Sequence, residues 1–273
     1  MSKIIDGKKI AKEIETELTS QVSLMSVPPK LSVVQIGDDP ASASYIKAKA
    51  NAASRVGIKL THHHLSKEIN INELEKLVDK LNKTEDGLII QLPIPKSLES
   101  VLERIKPEND VDGFHSENLG KLVQGIHGMV PCTPAGIIEL LYRSGNDPEG
   151  KHVVVVGRST IVGTPLSLLL SQKGVDATVT LCHSRTKSLH EHCKHADILV
   201  AAVGKANMIT KDMVKPGAVI IDVGVNRTSE GLVGDVSYDV RDVASQITPV
   251  PGGVGPMTVV MLMSNTVKSA LEN

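Results

Sequence analysis

The chain has no tryptophan, one phenylalanine and three tyrosines in 273 residues. So few rings exclude a surface that stacks nucleobases, and a formal charge of -1 excludes polyelectrolyte attraction to nucleic acid. Cysteine is scarce as well. Cys132, Cys182 and Cys193 are odd in number and follow no framework spacing, which predicts reduced thiols in a cytoplasmic setting. No apolar run reaches membrane-spanning length, so no membrane partner is expected. The opening stretch MSKIIDGKKIAKEIETEL alternates apolar and charged residues at helical period, unlike the continuous apolar core of a signal peptide. The length suits one large domain or two ordinary ones.

What the sequence does contain is alternation. The β-branched runs KLSVVQIG, GLIIQLPIP, KHVVVVG, ATVTLC, DILVAAVG and AVIIDVGVN are separated by segments of helical period. That pattern predicts an α/β fold of parallel sheets wrapped by helices. Proline and glycine interrupt residues 93–134, and PCTPAGIIELLYRSG then opens a helix, with Thr133 as candidate N-cap and Pro134 at the first helical position. We place the boundary on this helix, giving a first domain over 1–137 and a second over 138–256. The closing helix, 257–273, is apolar on more than one face and is expected to pack back on the first domain, joining the two twice.

VVVVGRSTIVGTPLSLLL reads as a buried strand, a turn bracketed by Gly157 and Gly163, and a helix. Backbone amides at such a helix start, with Arg158 and Ser159 in the turn, can hold a dinucleotide phosphate. The spacing departs from G-x-G-x-x-G, so a purely structural turn stays open. The next strand ends in His183, Ser184, Arg185 and Thr186, where an NAD-preferring site carries an acid for the ribose. Asp176 precedes that strand and should lie at the opposite edge of the sheet. Arg158, Ser184 and Arg185 instead offer donors for a 2′-phosphate, which favours NADP.

In SASYIKAKA, Tyr45 and Lys49 stand four positions apart, on one helical face. The pair fits either a shared ligand or a solvated helix. Tyr-x-x-x-Lys beside a nucleotide fold suggests a short-chain dehydrogenase, but there the glycine loop comes first, and here it follows by more than a hundred residues. That reading is rejected.

The segments SYIKAKA, GLIIQLPIP, NDVDGFH, PCTPAGIIELL, VVVGRSTIVGTP, VTLCHSRT, VIIDVGVN and ITPVPGGVGPMTVVML together resemble the bifunctional methylenetetrahydrofolate dehydrogenase and methenyltetrahydrofolate cyclohydrolase family. The resemblance implies an N-terminal catalytic domain, a Rossmann-type NADP domain, a folate cleft between them and a homodimer. It also implies oxidation of 5,10-methylenetetrahydrofolate with NADP and hydrolysis of the product to 10-formyltetrahydrofolate. By the same resemblance Lys49 matches the essential lysine, Tyr45 the tyrosine flanking the folate ring, Gln91 the glutamine bonded to the lysine, and Asp112 the carboxylate that holds the pterin. Pro251, Gly252 and Gly253 match the loop bordering the cleft. The flanks of NDVDGFH differ modestly from the family pattern. Lys49 is then the basic candidate for the hydrolytic proton, with Gln91 orienting its amine.

Other features have plainer readings beside the chemical ones. His62, His63 and His64 could suggest a metal, but adjacent strand residues point to opposite faces, which suits a solvated strand. His190, His192, Cys193 and His195 lack the paired spacing of a structural zinc motif, so no metal is expected. Cys132 stands before a helix start, where a thiolate can be stabilised, or is a structural thiol. Asp222 and Asp235 either bind cofactor or end strands. Two rival functions are a shikimate-dehydrogenase-like NADP enzyme and a non-catalytic dinucleotide sensor. QLPIP with VDG argues against the first, and the intact Tyr45, Lys49, Gln91 and Asp112 against the second.

Overall fold

The computed structural model describes residues 2–229 and 231–272. In chain order the elements are β1 (Lys3–Ile4), α1 (Gly7–Ser23), β2 (Lys30–Ile36), α2 (Pro40–Val56), β3 (Lys59–Leu65), α3 (Ile71–Thr84), β4 (Gly87–Ile90), α4 (Ser116–Gln124) and α5 (Cys132–Arg143). There follow β5 (His152–Val156), α6 (Gly163–Ser171), β6 (Thr178–Cys182), α7 (Leu189–Lys194), β7 (Ile198–Ala201), β8 (Val219–Asp222), β9 (Asn226–Thr228), β10 (Gly231–Val233), β11 (Gln246–Ile247) and α8 (Val254–Glu272). The chain forms two units. One comprises the described residues up to Ala11 and those from Thr133 to Thr258; the other runs Lys12–Cys132 and continues from Val259.

The first unit is built on a six-stranded parallel sheet of order β1-β11-β8-β7-β5-β6. Its central strands carry buried residues on both faces, because helices on both sides of a parallel sheet leave it no solvent face. Val154, Val156, Leu199, Ala201 and Ile220 form part of one core cluster with Cys182 and Cys193. The second unit holds a three-stranded parallel sheet of order β3-β2-β4. Val34, Ile36, Leu88 and Ile90 pack there with Leu74, Val78 and Leu81 of α3.

Two placements differ from the sequence expectation. β1 pairs in parallel with β11, Lys3 opposite Gln246 and Ile4 opposite Ile247, so the described residues up to Ala11 join the nucleotide-type unit rather than the catalytic one. A two-residue strand carries no periodicity from which to be read. The chain therefore passes between units three times, at 11/12, 132/133 and 258/259, rather than twice. In addition, α5 begins at Cys132, and the Thr133 hydroxyl meets Thr258 Oγ1 at 2.9 Å instead of capping the helix.

From Val259 onward α8 belongs to the second unit. Asn265 Nδ2 donates to the carbonyls of Val111 (2.8 Å) and Val130 (2.9 Å), and Lys268 Nζ donates to Gly128 O (2.7 Å).

Candidate active site

The start of α2 is fixed by Asp39, whose carboxylate accepts the Ser42 amide (2.7 Å) and hydroxyl (2.8 Å), with Pro40 opening the helix. Ser42 is buried, and its hydroxyl also lies 3.4 Å from the Leu92 carbonyl, which anchors α2 beside the end of β4. Tyr45 follows about one turn later and is 51 % exposed; Lys49, one turn further on, is half-buried. Lys49 Nζ donates to Gln91 Oε1 at 2.9 Å. Gln91 Nε2 in turn donates to Leu92 O at 2.9 Å, which fixes the amide so that its oxygen faces the amine.

Asp112 approaches alongside β4. The Leu88 amide donates to Asn109 O (2.8 Å) and a parallel bridge joins Leu88 to Asp110, so residues 110–112 run toward the Gln91 end of that strand. Asp110 uses its carboxylate within the loop, accepting from Gly113 N (3.2 Å), His115 N (2.8 Å) and Asn118 Nδ2 (3.0 Å). Gly113 has a φ of +75°, and a Cβ there would lie 2.5 Å from the Val130 carbonyl carbon, so only glycine lets the two segments meet. The Asp112 carboxylate itself accepts no hydrogen bond from the described residues. Burial raises its pKa above the usual carboxylate range, the nearby Lys49 charge lowers it, and Asp110 raises it again.

Sequence reasoning missed what supports this loop. Asn265 holds the carbonyls on either side of it, and Cys132 Sγ donates to Val111 O at 3.2 Å. Contacts between residue 265 and residue 111 leave no periodic signal in a sequence. Burial pushes the Cys132 thiol well above its ordinary range, and Asp112 adds to this. Of the two readings for Cys132, the geometry favours the structural thiol.

In the other unit, β5 and β6 run in register with Val156 opposite Cys182. Arg158 and Ser184 therefore each stand two residues beyond their strand, side by side at the carboxyl edge, with Arg185 next to them. All three are exposed. Gly157 has a φ of +120°, and a Cβ on it would collide with Ala202 O; one on Gly163 would collide with Gly157 O. The turn is thus as tight as backbone allows. Ser159 Oγ accepts the amides of Val162 (3.2 Å) and Gly163 (3.4 Å), so the hydroxyl holds the turn's own shape. Asp176 precedes β6, at the opposite edge, where its carboxylate accepts the Gly174 amide. The donor set contains no acid, which fits a phosphate-bearing dinucleotide. Pro251, Gly252 and Gly253 lie in this unit too, after β11. Gly252 O accepts the Lys8 amide (3.1 Å), and a Cβ on Gly7 would strike Gly253 O, so the start of α1 closes on this loop.

The histidines are spent locally. His62 and His64 stack on one face of β3 with ring centroids 5.9 Å apart, while His63 meets Ser32 Oγ (3.1 Å) on the other. His190 Nε2 pairs with Asp212 (3.1 Å), and Cys193 is buried in the core. Among the described residues no group of three or more His, Cys, Asp or Glu is disposed to hold a metal ion.

A doubly wound unit whose glycine turn is flanked by Arg158, Ser184 and Arg185, joined to a unit carrying a lysine bonded to Gln91 and a carboxylate that accepts no hydrogen bond from the described residues, fits the class of two-domain NADP-dependent dehydrogenases. Comparison with known proteins narrows the class. Residues 5–112 match the tetrahydrofolate dehydrogenase/cyclohydrolase catalytic domain and residues 131–273 the NAD(P)-binding domain of the same family, and the chain belongs to that family. It is similar to the bifunctional protein FolD of Brevibacillus brevis, 52% identical over 98% of this chain and 96% of that one. The solved bifunctional FolD of Campylobacter jejuni superposes with a TM-score of 0.96 at 42% identity, covering 100% of this chain and 99% of the other. A FolD from Trypanosoma brucei, complexed with NADP cofactor and inhibitor, gives 0.92 at 38% identity over 100% and 99% of the two chains. Family membership sets aside the shikimate-dehydrogenase-like alternative.

Proposed function

We propose that the chain oxidises 5,10-methylenetetrahydrofolate to 5,10-methenyltetrahydrofolate with NADP and hydrolyses that product to 10-formyltetrahydrofolate, acting as a homodimer in the cytoplasm and supplying one-carbon units for purine biosynthesis. The observation that carries the reading is the Asp112 carboxylate, burdened by burial and accepting no hydrogen bond from the described residues, in the electrostatic reach of a lysine held by Gln91. A half-buried carboxylate with acceptor sites not taken by the described residues suits a ligand that presents two parallel donors, as the amino group and adjacent ring nitrogen of a pterin do. Tyr45, exposed on the face of Lys49, offers a ring for the folate to lie against.

In the first reaction the methylene carbon between two folate nitrogens loses a hydride, and those nitrogens stabilise the cation that remains. Arg158, Ser184 and Arg185 would hold NADP, which supplies the hydride acceptor. The chain needs no acid or base for this step. Its work is to hold the donor carbon within about 3 to 3.5 Å of the acceptor carbon. The second reaction differs, because water adds to the methenyl carbon, a carbon–nitrogen bond breaks, and protons must leave the attacking oxygen and reach the departing nitrogen. Lys49 is the group on the Tyr45 face able to handle them, and Gln91 keeps its amine aimed.

The test is to incubate the protein with methylenetetrahydrofolate and either NADP or NAD. Methenyl and then formyl product should appear, faster with NADP. Absence of methenyl product with both cofactors, while folate still binds, would overturn the reading.

A further inference from the structure

Two carboxylates outside the site described above, Asp222 and Asp235, are buried at 4% and 0% exposure. Asp222 ends β8, and Ala201, opposite it, ends β7. The Asp235 carboxylate accepts the amides of Val203 (2.7 Å), Gly204 (2.9 Å) and Lys205 (2.8 Å), and the side-chain amide of Asn226 (2.9 Å). Asp222 accepts the amides of Gly224 (3.1 Å), Asp235 (2.9 Å) and Val236 (3.1 Å), and its own amide donates to Thr248 Oγ1 (2.8 Å). A Cβ on Gly224 would strike Asp235 Oδ1, and one on Gly234 would strike Asp222 Oδ2. Both carboxylates are thus wrapped by backbone that only glycine can bring so close.

The segments they gather are those leaving the carboxyl ends of β7 and β8, together with residues 234–236, where Val236 bridges to Ile209. In a doubly wound sheet ligands bind outside those ends. The glycine turn follows β5, and the 2′-phosphate donors stand beside β6, on one side of it. A dinucleotide laid across that turn puts its other half on the β7 and β8 side. Burial pushes the Asp222 carboxyl up to about 6, against the pull of the three amide donors and with a further push from Asp235. Its charge therefore costs stability at neutral pH, since a carboxyl with a raised folded-state pKa destabilises the fold once ionised.

We propose that Asp235 and Asp222 are positioning residues for hydride transfer: they fix residues 203–205 and 224–226 in the shape that receives the nicotinamide half of NADP. This rests on the NADP reading above. Both residues belong to the unit of the glycine turn, whereas Tyr45, Lys49, Gln91 and Asp112 belong to the other, so hydrolysis of methenyltetrahydrofolate supplied directly, without NADP, should not depend on them.

Asp235→Asn keeps the shape while leaving amides of 203–205 short of an acceptor. In the cofactor-free protein, hydrogen exchange at Val203–Lys205 should quicken by about tenfold or more, and the Kd for NADP should rise by about tenfold, as expected for a lost charge-assisted hydrogen bond. Cyclohydrolase measured without NADP should stay within about twofold, a level at which no acid–base group has been lost. Asn226→Ala, which removes one donor at a half-buried position, guards against a variant that fails to fold and should shift exchange and affinity the same way by less. Equal loss of both activities in the folded variants, or unchanged NADP affinity despite faster exchange, or unchanged exchange, would overturn the inference. Wild-type protein measured alongside separates the two claims, since failure of the wild type to bind NADP would instead defeat the cofactor reading.

Discussion

Burial holds the Asp112 carboxyl above the usual carboxylate range, and this couples function to stability in a direction that can be measured. A carboxyl whose folded pKa is raised costs the fold stability at pH above that value, and the cost fades as pH falls toward the unfolded value near 3.9. Asp112→Asn should therefore melt at a higher temperature than the parent at pH 7, with the gain shrinking as the pH is lowered. The same change should raise KM for methylenetetrahydrofolate about tenfold or more, because an amide cannot accept two parallel donors. Thermal melts and a KM measurement on the one variant check both. Arg158 presents the opposite case, an exposed cation for which we propose a role in holding the ligand rather than the fold. Arg158→Ala should weaken NADP by roughly 1.5–3 kcal/mol and NAD by less, and titration with each cofactor compares them. Equal losses would place Arg158 away from the 2′-phosphate. At this scale the sequence was most informative through resemblance: spacing alone set Tyr45 and Lys49 on one face, whereas the meeting of Lys49 with Gln91, 42 positions on, has no local signal.

Among the elements, strands long enough to show β-branched runs were legible. β2, β4, β5, β6, β7 and β8 all fall within the runs that predicted them. β1, β11 and the β9–β10 hairpin did not show, since strands of two or three residues have too few alternations to register and exist through their partners. The Thr133 hydroxyl had the right chemistry for a cap, yet tertiary contact with Thr258 took it. α8 illustrates a helix whose apolar faces were readable while its polar work was not. Asn265 is buried, and its amide satisfies the carbonyls of Val111 and Val130 beside the Asp112 loop. Asn265→Leu keeps similar bulk but takes the amide donor from both carbonyls, leaving Val111 O with only the weak Cys132 thiol. Stability should fall by about 1–3 kcal/mol, the cost of buried acceptors left unsatisfied, and denaturant melts read it directly. A folate KM that rises alongside would show that the helix also steadies Asp112.

For the whole molecule, alternation of strand and helix predicted an α/β fold, and the glycine turn predicted which part forms the doubly wound sheet. The division of the chain was less legible, because the first residues cross to the nucleotide-type unit through a pairing that only the folded protein contains. The central claim also belongs to this scale: one folate face serves two reactions that make different demands on the chain. Hydride transfer asks for position, and hydrolysis asks for proton transfer as well. Tyr45→Ala should lower both activities together, since a ring that positions the substrate serves both. Lys49→Met keeps the length and apolar stem of the side chain while removing the amine that Gln91 holds. The decisive measurement is a single absorbance time course on Lys49→Met with methylenetetrahydrofolate and NADP, resolving NADPH from the methenyl intermediate. Cyclohydrolase should fall by about 10²-fold to 10⁴-fold, as for a lost acid–base group, while dehydrogenase falls less and methenyl product accumulates. Equal loss of the two activities in a folded variant that still binds folate would contradict the assignment of Lys49 to the hydrolytic proton.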